Sequence, residues 1–95
     1  MEGKKLKKSI ITVLGKDSVG IIAKVCTYLA DNNVNILDIS QTIVQGYFNM
    51  MMIVDGSGAN VSFDEMSSGL DEIGAGIGVN IKCQREEIFT KMHRI

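Results

Sequence analysis

The chain is poor in the residues that usually carry chemistry. Its 95 residues hold no proline, no tryptophan, one histidine and two cysteines. Cys26 and Cys83 are far apart and show no CxxC spacing, which excludes a disulfide framework and a paired-thiolate metal site. Both sit among apolar residues, where free cysteine behaves as a small hydrophobe, and this use of cysteine fits a reducing compartment. His93 stands alone near the end, without the partners that a zinc site or a general base needs. Ten Lys and Arg against eleven Asp and Glu leave a net charge of −1. That balance provides no field for a polyanion and argues against nucleic acid as a partner. No apolar run approaches the ~20 residues that span a bilayer. Lys4, Lys5, Lys7 and Lys8 precede only a short apolar run, residues 10–14, which ends at Gly15-Lys16-Asp17 and is no signal-peptide core. The expectation is a cytoplasmic protein with no membrane partner, no cofactor and no metal.

What is present is periodicity. Residues 9–14 (SIITVL) are short, β-branched and apolar on both faces, as in a buried central strand. Asp17 or Ser18 can accept from the free N–H groups that open a helix. Ile21, Ile22, Val25, Cys26 and Leu29 recur at helical spacing, and Asn32 and Asn33 suit a helix end. Residues 34–44 are strand-like. Gln45-Gly46 is a two-residue turn, with glycine at a positive-φ position. Residues 47–55 predict a third strand with Phe48, Met50, Met52 and Val54 on one apolar face.

Ser62-Phe63-Asp64-Glu65 is a capping box. Phe63, Met66, Leu70, Ile73 and Ile77 follow at steps of three and four, the pattern of an amphipathic helix. Residues 79–84 alternate as a fourth strand, with Val79, Ile81 and Cys83 inward. Ile88, Phe89, Met92 and Ile95 predict a short C-terminal amphipathic helix.

The order β-α-β-β-α-β predicts an α+β ferredoxin-like sandwich, a four-stranded antiparallel sheet with two helices on one face. The parts are a basic N-terminal tail (1–8), one domain (9–86) and the C-terminal helix (87–95). The other sheet face is bare in a monomer. Only one sheet face can lie under the helices, so some of Leu37, Ile39, Ile43, Met51 and Ile53 must point outward, and an uncovered apolar patch marks an interface. Pairing with a second copy is therefore expected; the alternative is that the C-terminal helix folds back over that face.

The fold hosts many functions, so the residues must decide. Metal carriers of this shape need two close cysteines in the first loop, and residues 15–20 hold none. Gln45-Gly46-Tyr47-Phe48-Asn49 begins like an RNA-recognition motif and then lacks the cation and the stacking aromatic. An anion-cradling enzyme of this shape needs an arginine near that loop, but the only arginines are Arg85 and Arg94. No nucleophile or acid–base constellation appears, so no catalytic activity is expected.

Gly15-Lys16-Asp17-Ser18-Val19-Gly20-Ile21, followed by Val34-Asn35-Ile36-Leu37-Asp38-Ile39, resembles the ACT domain. The shared pattern is a strand, a short polar turn ending in glycine, an apolar helix, and an Asn-Ile pair opening the second strand. It covers residues 9–86 and is most similar to small stand-alone ACT proteins with GKDxxGI and ISQT segments, related to the ACT repeats of the glycine-cleavage repressor. Val19 departs from it where many members have proline. The resemblance implies a regulatory domain, a homodimer or higher oligomer, and a small ligand such as an amino acid. In ACT dimers the first loop of one chain meets the Asn35 position of the other. Asp17, Ser18, Val19, Gly20, Ile21, Asn35, Ile36 and Asp38 are the corresponding ligand-binding candidates. The residue chemistry agrees: helix-start N–H groups attract a carboxylate, and Asp17 or Asp38 suits an ammonium group. The rival reading is a module that docks on an enzyme or regulator without a small ligand.

Overall fold

A computed structural model describes residues 8–16 and 20–85. The elements run β1 (Lys8–Lys16), α1 (Ile21–Asp31), β2 (Asn35–Val44), β3 (Tyr47–Asp55), α2 (Phe63–Ile77) and β4 (Asn80–Arg85). The four strands form one sheet in the order β2-β3-β1-β4, and all neighbouring pairs are antiparallel. Each helical crossover therefore skips one strand, and two βαβ units interleave into the ferredoxin-like sandwich. β1 is longer at both ends than residues 9–14, and its first residue, Lys8, already pairs with Asp55. The expected C-terminal helix and the rest of the basic tail lie outside the described residues.

β1 is apolar on both faces because it is central, between β3 and β4. Ile11 and Val13 join Phe48, Met50, Met52 and Val54 of β3 in the core beneath the helices. Above them α1 buries Ile21, Val25 and Leu29 at steps of four. Ile22, on the same predicted stripe, turns outward and is exposed. α2 buries Met66, Leu70 and Gly74.

Local chemistry fixes the joints. Gln45 and Gly46 both take positive φ, 52° and 84°. That pair of dihedrals makes the tight hairpin whose twist matches its strands. Asn33, at φ 60°, supplies the left-handed residue after α1, and its side chain donates to the Gly58 carbonyl at 2.8 Å. The capping box forms in full: the Ser62 hydroxyl accepts from the Glu65 amide, and the Glu65 carboxylate accepts from the Ser62 amide. Such a cap contributes about 1 kcal/mol.

Two residues of β2 share no simple alternation. The register with β3 shifts between Ile36 and Asp38, so Leu37 is an inserted residue. An extra residue of this kind exchanges the two faces of the strand beyond it. Ile36 pairs with Val54, and after the bulge Ile39, Gln41 and Ile43 pair with Met52, Met50 and Phe48. These three residues therefore stand on the helix side. Met51 and Ile53 stand on the opposite face. Of the residues weighed for the outward patch, Met51 and Ile53 thus stand on the helix-free face, and the bulge puts Ile39 and Ile43 on the helix side. All of β2 except half-buried Ile36 is exposed, including Ile39 at 40% and Ile43 at 56%.

Two glycines of α2 give opposite expectations. A Cβ at Gly74 would lie 2.7 Å from the Val79 carbonyl oxygen, a backbone atom that cannot swing away. A Cβ at Gly76 would meet nothing within 4 Å. Alanine favours a helix over glycine by about 1 kcal/mol, whereas overpacking costs about 1–3 kcal/mol. In urea titrations Gly74→Ala should destabilise the fold, and Gly76→Ala should stabilise it by up to about 1 kcal/mol.

Burial pushes the Cys83 thiol from its ordinary 9.0 up to about 11, against a smaller opposite pull from Arg85. Burial also raises the Tyr28 phenol, helped by the Glu65 and Glu72 carboxylates. Both groups keep their protons longer in the folded chain than in the unfolded one. The stability they lend is complete below pH 9 and falls as pH rises toward 11. The urea midpoint should decline over that window, and Cys83→Ala should make the decline shallower whatever its effect at neutral pH.

Candidate functional site

The start of α1 differs from the start of α2. Gly20, its N-cap, has φ 88° and ψ 2°, a left-handed conformation that costs other L-residues about 1–2 kcal/mol. The first helical bond runs from the Lys24 amide to the Gly20 carbonyl at 2.9 Å. The amides of Ile21, Ile22 and Ala23 therefore have no acceptor inside the helix. No acidic residue stands in the first turn, so the helix does not neutralise its own positive end.

These amides border a crevice of roughly 700 Å³ between α1 and the β2–β3 hairpin. Gly20, Ile21, Ile22 and Ala23 line one side, and Gln41, Thr42, Ile43 and Phe48 the other. Phe48 belongs to the buried core, and Ile22 and Ile43 are exposed apolar walls. Gln41 lies on the helix side of β2, opposite Met50 in the register, and brings an amide donor and an acceptor. The chemistry is that of a small amphipathic anion: donors with positive potential at one end, apolar surface along the sides, one neutral amide between.

The candidate residues named from sequence divide three ways. Gly20 and Ile21 line the crevice. Asp17, Ser18 and Val19 immediately precede it in the chain and lie outside the described residues. Asn35, Ile36 and Asp38 belong to the other end of the sheet. Asn35 pairs with Asp55, whereas the end of β1 nearest Gly20 pairs through Lys16 with Tyr47, which in turn faces Val44. Along β2, Asn35 lies about 20 Å and Asp38 about 10 Å from Gln41 in the crevice of the same chain. Ile36 packs against the core, and Asp38 pairs with Ile53 on the face away from the helices.

Gln41, Thr42, Ile43 and Phe48 were not among those candidates. One signal for them was present: Gln41 is polar between Ile39 and Ile43, at the two-residue spacing of one strand face. Its proximity to α1 depends on how far the hairpin projects, which no local pattern encodes.

The sequence profile of the ACT domain matches residues 8–84. A UPF0237 protein of Bifidobacterium longum is 66% identical over 90 residues, covering 95% of this chain and 100% of that protein. Among solved structures, an ACT domain protein from Streptococcus pneumoniae superposes with a TM-score of 0.77 at 39% identity, covering 90% of this chain and 96% of the other. The regulatory subunit of aspartate kinase from Thermus thermophilus, in its ligand-free form, gives a TM-score of 0.64 at 26% identity, covering 84% of this chain and 52% of that one. Fold, profile and near-full-length relatives agree, and the chain belongs to the ACT domain family.

Proposed function

We propose that this protein is a non-catalytic regulatory domain that binds an amino acid where two copies of the chain meet. The observation that carries the reading is the crevice at Gly20, in which the first residues of α1, whose amides have no acceptor within the helix, stand beside an apolar wall from the hairpin. A ligand carboxylate would sit on the amides of Ile21, Ile22 and Ala23, and its side chain would lie along Ile22, Ile43 and Phe48. Such a site suits a zwitterion with an apolar or small side chain better than a dianion, because it offers one positive end and, among the described residues that line it, no cationic side chain.

The ammonium group needs an acceptor, and the rest of the site would come from self-pairing. Among the described residues β2 is an edge strand, with exposed apolar side chains on both faces. A long edge of this kind favours pairing with another strand. If two copies pair β2 antiparallel about a two-fold axis near Ser40, position 35 of one chain falls opposite position 45 of the other. The Asn35–Asp38 end of each chain then reaches the crevice end of its neighbour. Asn35, about 20 Å along β2 from Gln41 in its own chain, would approach the crevice end of the other chain. Asp17 would take the ammonium group; the second chain's Asp38 stands on the helix-free face and turns away from the crevice. The reading also places the domain in the cytoplasm, where free amino acids would report metabolic state. Ligand would act only by its differential affinity for the states it joins.

Sedimentation at micromolar concentration should give twice the protomer mass. Ile39→Glu, which puts a charge on the exposed edge outside the crevice, should give a monomer. A folded wild-type chain that sediments as a monomer removes the shared-site reading.

A thermal-shift series over the natural amino acids should find at least one, at millimolar concentration, that raises the midpoint. Ile43→Glu and Gln41→Ala should abolish that rise. If no amino acid moves the midpoint of the dimer, the ligand claim fails, and docking of the β2 edge on another protein becomes the better account.

A further inference from the structure

Charge is divided between the two layers of the fold. α1 and α2 together hold five carboxylates, Asp31, Asp64, Glu65, Asp71 and Glu72, against one cation, Lys24. The strands reverse the balance, with Lys8, Lys16, Lys82 and Arg85 against Asp38 and Asp55. A chain whose net charge is only −1 therefore carries an acidic helical layer.

A groove of roughly 490 Å³ runs between the two helices. Ala23, Thr27 and Tyr28 of α1 and Ile73, Gly76 and Ile77 of α2 line it, and Lys24 and Asp31 border it. Ile73 and Ile77 pack half-buried against the core, whereas Ala23, Thr27 and Gly76 are exposed. Tyr28 ties the helices together. Its hydroxyl donates to the Glu65 carbonyl at 3.3 Å and fills the place that a Cβ of Gly69 would take. The Glu65 and Glu72 carboxylates both act on the Tyr28 phenol. Asp31, Glu65 and Glu72 thus surround an apolar floor, against the single cation Lys24.

Gly76 points to the same place. Gly69 makes room for Tyr28, Gly74 for the Val79 carbonyl, and Gly78 takes the left-handed cap at φ 77°. Gly76 lies within α2 without a positive φ, and a Cβ there would meet nothing within 4 Å. Glycine at such a position costs a helix about 1 kcal/mol relative to alanine. No contact among the described residues requires it. What it leaves is space beside Ala23 and Thr27, where another backbone can approach closely.

We propose that this groove receives a basic amphipathic helix of a partner protein. The apolar face of that helix lies on Ala23, Ile73 and Ile77, and its lysine or arginine side chains meet Asp31, Glu65 and Glu72. Both walls are helices, whose backbone groups are used in their own hydrogen bonds. An extended segment would find no ladder to join, whereas a helix brings its backbone bonds with it. The groove follows α1 from residue 23 to residue 31, about 12 Å or two turns of an occupant. A second copy is a poor occupant, because two acidic helical layers would repel each other. Only Ala23 borders both this groove and the crevice at Gly20, so helix docking and amino-acid binding are separately testable.

Fluorescence anisotropy on the full-length chain tests the docking, with a labelled amphipathic peptide of about 20 residues built from leucine and lysine. The expected result is saturable binding at micromolar concentration that weakens with added salt. A scrambled peptide of the same composition should bind at least about tenfold more weakly. Gly76→Leu fills the groove without changing its charge, at a position with room for the side chain, and should weaken binding about tenfold. Glu72→Gln should weaken it about two- to fivefold and flatten the salt dependence. Asp71→Asn makes the same charge change on the far side of α2 from Ile73 and should leave binding unchanged. Amide chemical shifts of the wild-type chain locate the peptide without any variant, and should change around residues 23–31 and 73–77. Absent binding, equal binding of the scrambled peptide, unchanged binding by Gly76→Leu, or shifts centred on the β2 edge overturn the proposal. The same amide shifts with spermine alone make a small polyamine the occupant and overturn it. A lower sedimenting mass for Gly76→Leu than for wild type makes a second copy the occupant and overturns it as well.

Discussion

A mismatch of length underlies the rest of this structure. α1 has eleven residues and is about 16 Å long, whereas β2 has ten and extends over about 33 Å. A helix can shield a strand only where it runs over it, so the β2–β3 hairpin projects past the start of α1. Phe48 remains in the core because β3 is an inner strand, packed between β2 and β1. Ile43, one strand farther out, has the same facing but no cover. The crevice is the step between the helix start and this overhang. Gly20 lets the backbone turn sharply into the helix there, and a Cβ at that position would meet nothing within 4 Å.

The parts of the fold that were legible in sequence are those in which one residue's environment is set by its near neighbours. The alternation of β3 held from Tyr47 to Asp55 because an inner strand packed on one face must keep a strict two-residue period. The Ser62–Glu65 box and the Gln45-Gly46 turn were legible for the same reason, since their partners are three residues away or fewer. β2 was legible as a strand but not in its facing. A single inserted residue at Leu37 reverses every later side chain, and nothing in the composition of Ile36-Leu37-Asp38-Ile39 marks which residue is the extra one.

The site was legible in the same uneven way. Gly20 stood out because a glycine between a polar turn and an apolar helix has few reasons to be there other than its dihedrals. Asn35 and Asp38 could be named from their pattern but not located, because a sequence carries no distance between the two ends of a strand. Their separation within one chain is the strongest structural reason to look for the complete site between chains. Gln41 and Ile43 escaped notice because their place beside α1 is decided by the overhang, a property of the packed object.

The two edges of the sheet are not equivalent, and this asymmetry decides which surface a second copy would use. β4 is six residues long, bears Lys82 and Arg85, and is held on the helix side by α2, where Arg85 lies over the Phe63 ring at 4.3 Å. A short, charged edge is a poor template for another strand. β2 is longer, carries one charge, and exposes Leu37, Ile39, Ile43 and Val44. Fully burying one such aliphatic side chain contributes about 1.5–3 kcal/mol. Edge pairing would bury such side chains in part on both chains, which favours association against its entropic cost. The bulge at Leu37 limits how far the two strands can zip, because the inserted residue interrupts the ladder near the Asn35 end. Pairing would therefore concentrate on residues 38–42, which run into the crevice, and the same strand that forms one wall of the pocket would form the seam of the dimer. Ligand occupancy and subunit contact would then act on one element, which is the physical condition for each to influence the other.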